Sequence, residues 1–354
     1  MKFPIHLKEN GTIAFIAPSF GCSDDPTKGN LIKAQENLNN LGFKIILGPN
    51  CFLNKGIGIS NTPQKCAEEL TAFYTSDDND CIISCSGGEL MCEILDYVDF
   101  DKIKQSKPKW YMGYSDNSNF TFLLTTIADV ASIYGPCAPV FGMRPYHDSL
   151  NDSLNILTGK KHKLKGYPMW QLKMAENLEP CQPFNLTEKT VIKYYLPDGT
   201  SNIDNENNNK NADINFSGRL IGGCLDTLIV LLGTKYDHVS EFSERYKSDG
   251  IVWFLESCEI TIIATRRLLW QMEHAGWFKN CKGFLIGRPF ENVYNNQFGI
   301  NHYQAYLEVL KKFNVPVIFD VDIGHHPPTM PLICGSYANV TSDGKTYEVE
   351  MIEK

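Results

Sequence analysis

The sequence predicts an α/β protein built on a parallel sheet, and three observations carry that expectation. Short, strongly apolar runs alternate with segments whose apolar residues recur at spacings of three and four. The runs close on glycine or small polar residues, the punctuation of strand-to-helix turns. At 354 residues the chain is long for one core and comfortable for two domains. Strands alternating with helices imply parallel strands with helices on the sheet faces.

In order, Thr12 to Ala17 is a compact apolar run closed by Pro18-Ser19-Phe20-Gly21, a central strand leading into a loop. Leu31, Ala34, Leu38 and Leu41 give a helix that Gly42 stops, and Phe43 to Leu47 is the next strand. Residues 64–74 read as a helix, and Cys81 to Cys85 as a buried strand running into Ser86-Gly87-Gly88-Glu89. Pro108 to Met112 is a further strand. Gly113 to Asn117 then turns the chain, and Phe120, Leu123, Leu124, Ile127, Ala128 and Ala131 form the buried face of a helix. Ser132 to Pro136 suggests one more strand end.

Residues 145–215 lose clear periodicity apart from a short strand at Val191 to Leu196. Within them, Asn202 to Asn211 is too polar to bury the apolar surface that ordering needs. The expected division is therefore an N-terminal domain over 1–164, a loop-rich connection over 165–215 and a second domain over 216–354. That second domain opens at Phe216 to Leu225, with a helix from Leu225 to Leu232 and a strand from Gly250 to Leu255 that stops on Glu256. A helix over Thr265 to His274, a strand over Gly283 to Gly287 and a helix over 302–312 follow. A strand from Val315 then leads into Gly324-His325-His326. Asn339-Val340 and Tyr347 to Met351 read as a β-ribbon.

The net charge of -8 disfavours nucleic acid or an anionic membrane as partner and points to a small-molecule or peptide substrate. The twelve cysteines form no Cys-x-x-Cys pair, so they read as reduced core thiols of a cytosolic protein rather than a zinc site. No signal peptide and no membrane-spanning run is expected. No Gly-x-Gly-x-x-Gly follows the first strand and no His-Glu-x-x-His occurs, so neither a dinucleotide nor a metallohydrolase site has support.

Ser115, Glu256 and His325 each fall within a few residues of the end of a strongly apolar strand. Ligands gather at the carboxyl ends of strands in open α/β sheets. A serine hydroxyl needs a base and the base an orienting carboxylate, so the three form a complete set. Each also has a plainer role: Ser115 as a helix cap, Glu256 as a partner of Arg266 or Arg267, and His326 in place of His325. The hydrolase elbow Gly-x-Ser-x-Gly is incomplete, with Asn117 where its last glycine belongs. Gly87-Gly88 read alone is a turn. His6, His147, His162, His238 and His302 read as solvated, and His274 as a helix C-terminal residue.

The sequence resembles the LD-carboxypeptidases and MccF-type microcin C immunity peptidases. The resemblance runs through Gly11 to Ser19, Ser86-Gly87-Gly88, Met112 to Asp116, Tyr134-Gly135-Pro136, Gly218 to Gly223, Phe254-Leu255-Glu256 and Gly324-His325. It implies Ser115 as nucleophile, His325 as general base, Glu256 as its orienter, and an oxyanion hole from the N–H groups of Asp116 and Gly88. It implies an N-terminal parallel-sheet domain and a C-terminal β-rich α/β domain with the active site at their interface. It also implies a cytoplasmic homodimer without metal or organic cofactor. The implied substrate is a muropeptide of cell-wall recycling or an aminoacyl-nucleotide amide; on the second, Trp170, Tyr194 or Tyr195 would stack on a base. A binding protein that has lost catalysis is the remaining class. Ser86 and Glu89 around the glycine pair, and Cys224 where asparagine is frequent, depart from the family pattern. Segment 165–215 matches little of it and leaves substrate choice open.

Overall fold

A computed structural model describes the chain except residues 174–178, 204–211 and 292–294. It divides into two compact units. The first comprises Met1–Lys161, Lys173–Asn185 and Pro331–Ile333, and the second His162–Leu172, Leu186–Met330 and Cys334–Lys354. The divide departs from the expected boundaries. Most of the described part of 165–215 belongs to the second unit instead of forming a separate connection.

In the first unit β1 (Thr12–Ile16), α1 (Thr27–Asn40), β2 (Lys44–Leu47), α2 (Pro63–Thr75), β3 (Cys81–Ser84), α3 (Phe100–Gln105), β4 (Trp110–Gly113), α4 (Ser118–Thr126), β5 (Ser132–Tyr134) and α5 (Asp148–Leu157) follow in order. The five strands are parallel in the order β2-β1-β3-β4-β5, with Leu332–Cys334 beside β5. The order reverses at β1, so the topological switch point lies between β1 and β3. The loops leaving those two strands carry Ser19 and the Gly87-Gly88 turn.

Burial on both faces explains why β3 and β4 read as unbroken apolar runs. Helix α4 is buried along its whole length, although an amphipathic helix was expected. Its threonines tolerate this because Thr121, Thr125 and Thr126 donate to the carbonyls of Asn117, Thr121 and Phe122 one turn back. It stops at Thr126, short of the expected Ala131, and Asp129 takes the left-handed conformation at φ 58° before β5. Helix α5 lies inside the stretch read as aperiodic. Ser153 back-bonds to Ser149, and Asp152 pairs with Lys161 at 2.6 Å, so its polar residues are buried with partners.

The second unit contains β6 (Lys163–Lys165), β7 (Met169–Trp170), β8 (Glu188–Lys189), β9 (Lys193–Tyr195), β10 (Ile214–Cys224), α6 (Leu225–Leu231), α7 (Val239–Arg245), β11 (Ile251–Glu256), α8 (Ile262–His274), β12 (Cys281–Gly287), α9 (His302–Leu310) and β13 (Val317–Val321). After the edge strand β14 (Leu332–Cys334) of the first unit come β15 (Tyr337–Ser342) and β16 (Tyr347–Ile352). An eight-stranded sheet runs β6-β16-β15-β10-β11-β12-β13-β9, parallel from β10 to β13 and antiparallel outside. This is the β-rich α/β unit. The central strand β11 is buried throughout and delivers Glu256 at its carboxyl end, beside Cys224 on β10. No helix among the described residues is long and apolar enough to cross a membrane.

Candidate active site

Ser115 occupies the sharp turn between β4 and α4, at φ 61°. A non-glycine residue there is strained, a cost that surrounding structure has to hold in place. The neighbours supply that hold. Asn117 donates from Nδ2 to the carbonyls of Ser86 (2.8 Å) and Tyr114 (3.1 Å), and its Oδ1 accepts from the Tyr111 hydroxyl. The residue that breaks the glycine pattern of the elbow is therefore a strut tying the serine turn to the Gly87-Gly88 turn.

Asp116 ties the same region to two further loops. Its Oδ2 accepts from the Ser19 hydroxyl (2.6 Å) and the Met91 N–H (2.9 Å), and its Oδ1 from Asn119 (2.9 Å). Burial pushes its carboxyl up to about 6 despite these donors. Below it, Glu69 accepts from the Ala17 and Asn50 N–H groups, both at 2.9 Å, and fixes the loops that leave β1 and β2.

Gly87 comes close to Ser115. A Cβ there would lie 3.0 Å from Ser115 Cβ and 3.2 Å from its Oγ, with the Asp116 nitrogen at 3.8 Å. Any side chain would crowd the hydroxyl. The Gly87 carbonyl accepts from the Phe20 N–H at 3.0 Å. The peptide is planar and trans, so the Gly88 N–H points to the opposite side. The α-carbon of Gly88 itself faces Ser19, 2.1 Å from where a Cβ would stand.

In the second unit Glu256 is fully buried, and its Oε2 meets His325 Nδ1 at 2.9 Å. Its partner is thus an imidazole and not Arg266 or Arg267. Gly324 permits the approach: it lies at φ 106°, and a Cβ there would fall 2.7 Å from Glu256 Oε2. Burial alone would lower the His325 pKa, but the Glu256 carboxylate outweighs it and holds it well above the ordinary value. The Cys224 thiol beside Glu256 is pushed far up by burial and by the carboxylates of Glu256 and Asp226, so it stays protonated as a donor.

His326 takes no such role. It is buried, bonded through Nδ1 to the Gln171 carbonyl at 3.0 Å, and packed against Trp170 and Phe290. Trp170 and Tyr194, expected as base-stacking surfaces, are 5% and 2% exposed. Trp170 is covered by the Arg288 guanidinium and His326, so neither offers a free ring. Tyr195 is half-buried on β9. Two histidines read as solvated are structural: His302 is buried near Asp320, and His147 caps α5. All twelve cysteines are free thiols, and eight are buried.

Asn117 escaped the sequence reading. For Asn117 the available signal was its place four residues after Gly113 in a near-miss of the elbow. Among known proteins, the LD-carboxypeptidase N-terminal domain matches residues 13–135 and the LD-carboxypeptidase C-terminal domain residues 217–340. The chain belongs to the S66 peptidase family. Family membership makes it a hydrolase of the serine-peptidase type.

The microcin C7 self-immunity protein MccF of Escherichia coli is 23% identical over 97% of this chain and 94% of its own. A putative carboxypeptidase of Vibrio cholerae is 22% identical over 80% of this chain and 79% of its own. Two solved structures share the fold: MccF in complex with aspartyl sulfamoyl adenosine, and an MccF-like protein from Bacillus anthracis. Each has a TM-score of 0.79 at 21% identity and covers 100% of this chain, with 99% and 100% of their own chains covered.

Proposed function

We propose that this S66 peptidase cuts an amide bond through an acyl-enzyme, with Ser115 as nucleophile, His325 as base and Glu256 as its orienter. The observation carrying the reading is the buried Glu256–His325 pair at 2.9 Å. It fixes the imidazole tautomer so that Nε2 is the basic nitrogen, and it stabilises the imidazolium formed on proton transfer. His325 takes the Ser115 proton as the oxygen attacks the carbonyl, and the N–H groups of Asp116 and Gly88 hold the oxyanion. His325 then protonates the leaving amine, and water, activated by the same base, releases the acid. Each oxyanion donor is worth about 3 kcal/mol in such a step.

The substrate in this reading is a muropeptide, cut at the L,D bond to its terminal D-alanine, and the enzyme is a cytoplasmic homodimer needing no metal or organic cofactor. A second substrate, an aminoacyl-nucleotide amide, is favoured by the likeness to MccF along nearly the whole chain.

Incubation with an L,D-tetrapeptide and with an aminoacyl sulfamoyl adenosine, read by mass spectrometry, separates the two. Release of D-alanine from the first is the expected result. If Ser115 reacts with a fluorophosphonate while neither compound is cut, both substrate classes are wrong. Labelling that survives Ser115→Ala removes the nucleophile assignment, and a native protein that takes no label favours a binding protein that has lost catalysis.

A further inference from the structure

The loop that leaves β1 meets both residues whose N–H groups the proposed mechanism gives to the oxyanion. Ser19 in that loop is fully buried, and its hydroxyl donates to Asp116 Oδ2 at 2.6 Å. The next residue, Phe20, donates its N–H to the Gly87 carbonyl at 3.0 Å. That bond sets one side of the planar Gly87-Gly88 peptide, so the Gly88 N–H is turned to the other. Gly88 also rests on the Ser19 hydroxyl: a Cβ there would lie 2.1 Å from Ser19 Oγ and 3.1 Å from the Phe20 nitrogen. One dipeptide thus grips the residue after Ser115 and the second glycine of the turn.

Each member of this grip is held from a further side. The Ser19 carbonyl accepts from the Ser60 N–H at 2.7 Å. The Gly58 carbonyl accepts from the N–H groups of Glu89 (3.1 Å) and Leu90 (3.3 Å), just past the glycine pair. Asp116 Oδ2 accepts from the Met91 N–H as well, at 2.9 Å, and Oδ1 accepts from Asn119 at 2.9 Å. The oxygen that takes the Ser19 proton therefore also ties down the segment that follows β3. Ser19 adds the packing contact with Gly88.

Two N–H groups serve one oxyanion only if both lie within about 2.7–3.1 Å of the same point. Their spacing matters most once charge has developed there, so a group that sets it acts on the transition state more than on binding.

We propose that Ser19 is a positioning residue, whose hydroxyl, bonded to Asp116 and packed against Gly88, holds the two oxyanion donors at the spacing that one oxyanion needs. The inference rests on the acyl-enzyme reading, in which the N–H groups of Asp116 and Gly88 are those donors. Ser19 acts through these two residues and not on the reacting atoms.

The test is the kinetics of fluorophosphonate labelling of the whole protein, with the saturating rate constant and the half-saturating concentration measured separately. In this reaction Ser115 Oγ bonds to phosphorus, fluoride leaves, and negative charge builds on the phosphoryl oxygen where the donors act. Ser19→Ala should lower the saturating rate constant by about 10- to 10²-fold and leave the half-saturating concentration within about twofold. Ser60→Ala removes another fully buried hydroxyl, one that donates to the Ala17 carbonyl, and is the control for lost packing. Its constants should stay within about twofold of the native ones. Asp116→Asn should reproduce the Ser19→Ala loss, and the double variant should be within about twofold of the slower single one, because both changes break one link. An unchanged saturating rate in Ser19→Ala, an equal loss in Ser60→Ala, or multiplying losses in the double variant overturns the proposal and leaves Ser115 as nucleophile. If circular dichroism shows Ser19→Ala unfolded, Asp116→Asn decides alone: an unchanged saturating rate there overturns the proposal too. Labelling that survives Ser115→Ala, or a native protein that takes no label, removes the acyl-enzyme reading itself and the role of Ser19 with it.

Discussion

Around Ser115 the first unit sets glycine backbone, an amide and hydroxyls. Around His325 the second sets the buried Glu256 carboxylate and the Phe290 ring. The serine stands at a strained φ, held by Asn117 and shadowed by Gly87, where one methyl group would intrude. The histidine is held by an ion pair at the end of a parallel strand, and its protonation answers to that pair. On the proposed mechanism a hydroxyl must be aimed and a base must be tuned. Volume is therefore the sensitive variable in one region and charge in the other.

The largest expected effect tests the aimed group. Ser115→Ala should reduce kcat by about 10⁴-fold or more and abolish fluorophosphonate labelling. Next comes the tuned group. Activity of the native protein should fall as pH drops through the His325 pKa, because the protonated ring cannot act as base, and that limb should lie above the usual imidazole range. Glu256→Gln should cost about 10²- to 10⁴-fold and move the limb to lower pH. A limb that stays in place would detach Glu256 from tuning the base, and a flat profile from about pH 5 to 8 would remove the base altogether.

A smaller effect separates volume from charge. Gly87→Ala should lower kcat by about 10- to 10²-fold while leaving the pH limb unmoved. A shifted limb would break the contrast between the regions.

The smallest effect probes the charge buried in the first unit. Lys109 donates to the carbonyls of Phe73 and Ser76 and to Asn79, and burial lowers its pKa to about 8. Between about pH 8 and 10.4 the unfolded chain keeps a proton there that the folded one has released, so stability rises with pH. Relative to Lys109→Met, the unfolding free energy of the native protein should climb by about 2–3 kcal/mol across that window, measured by denaturant titration. Its kcat should change little.

Much of this was legible because buried parallel strands spell themselves as continuous apolar runs. The end of such a run fixes where a polar residue emerges, which is how Glu256 and Ser115 stood out. Helices α3, α5 and α7 were not legible. They are short, and in α5 buried Ser149, Asp152 and Ser153 look like loop residues until their back-bonds and the Lys161 partner are seen. The polar run through Asn211 falls largely outside the described residues. Asn117 was missed because its partner, Ser86, is distant in sequence. The residues alone left His325 and His326 open; the family resemblance chose His325, and the Gln171 contact gives His326 its structural role.

The placement of Leu332–Cys334 bears on how the protein is made. Residues 331–333 belong to the unit begun at Met1, and their strand lies beside β5. During synthesis the sheet that aims Ser115 stays one strand short until the ribosome has passed these positions, with the β5 edge uncovered in the meantime. An N-terminal fragment ending near Lys161 is thus an unfinished sheet, prone to pair its open edge with a neighbour. The unit that carries Ser115 is completed only after His325 has been translated.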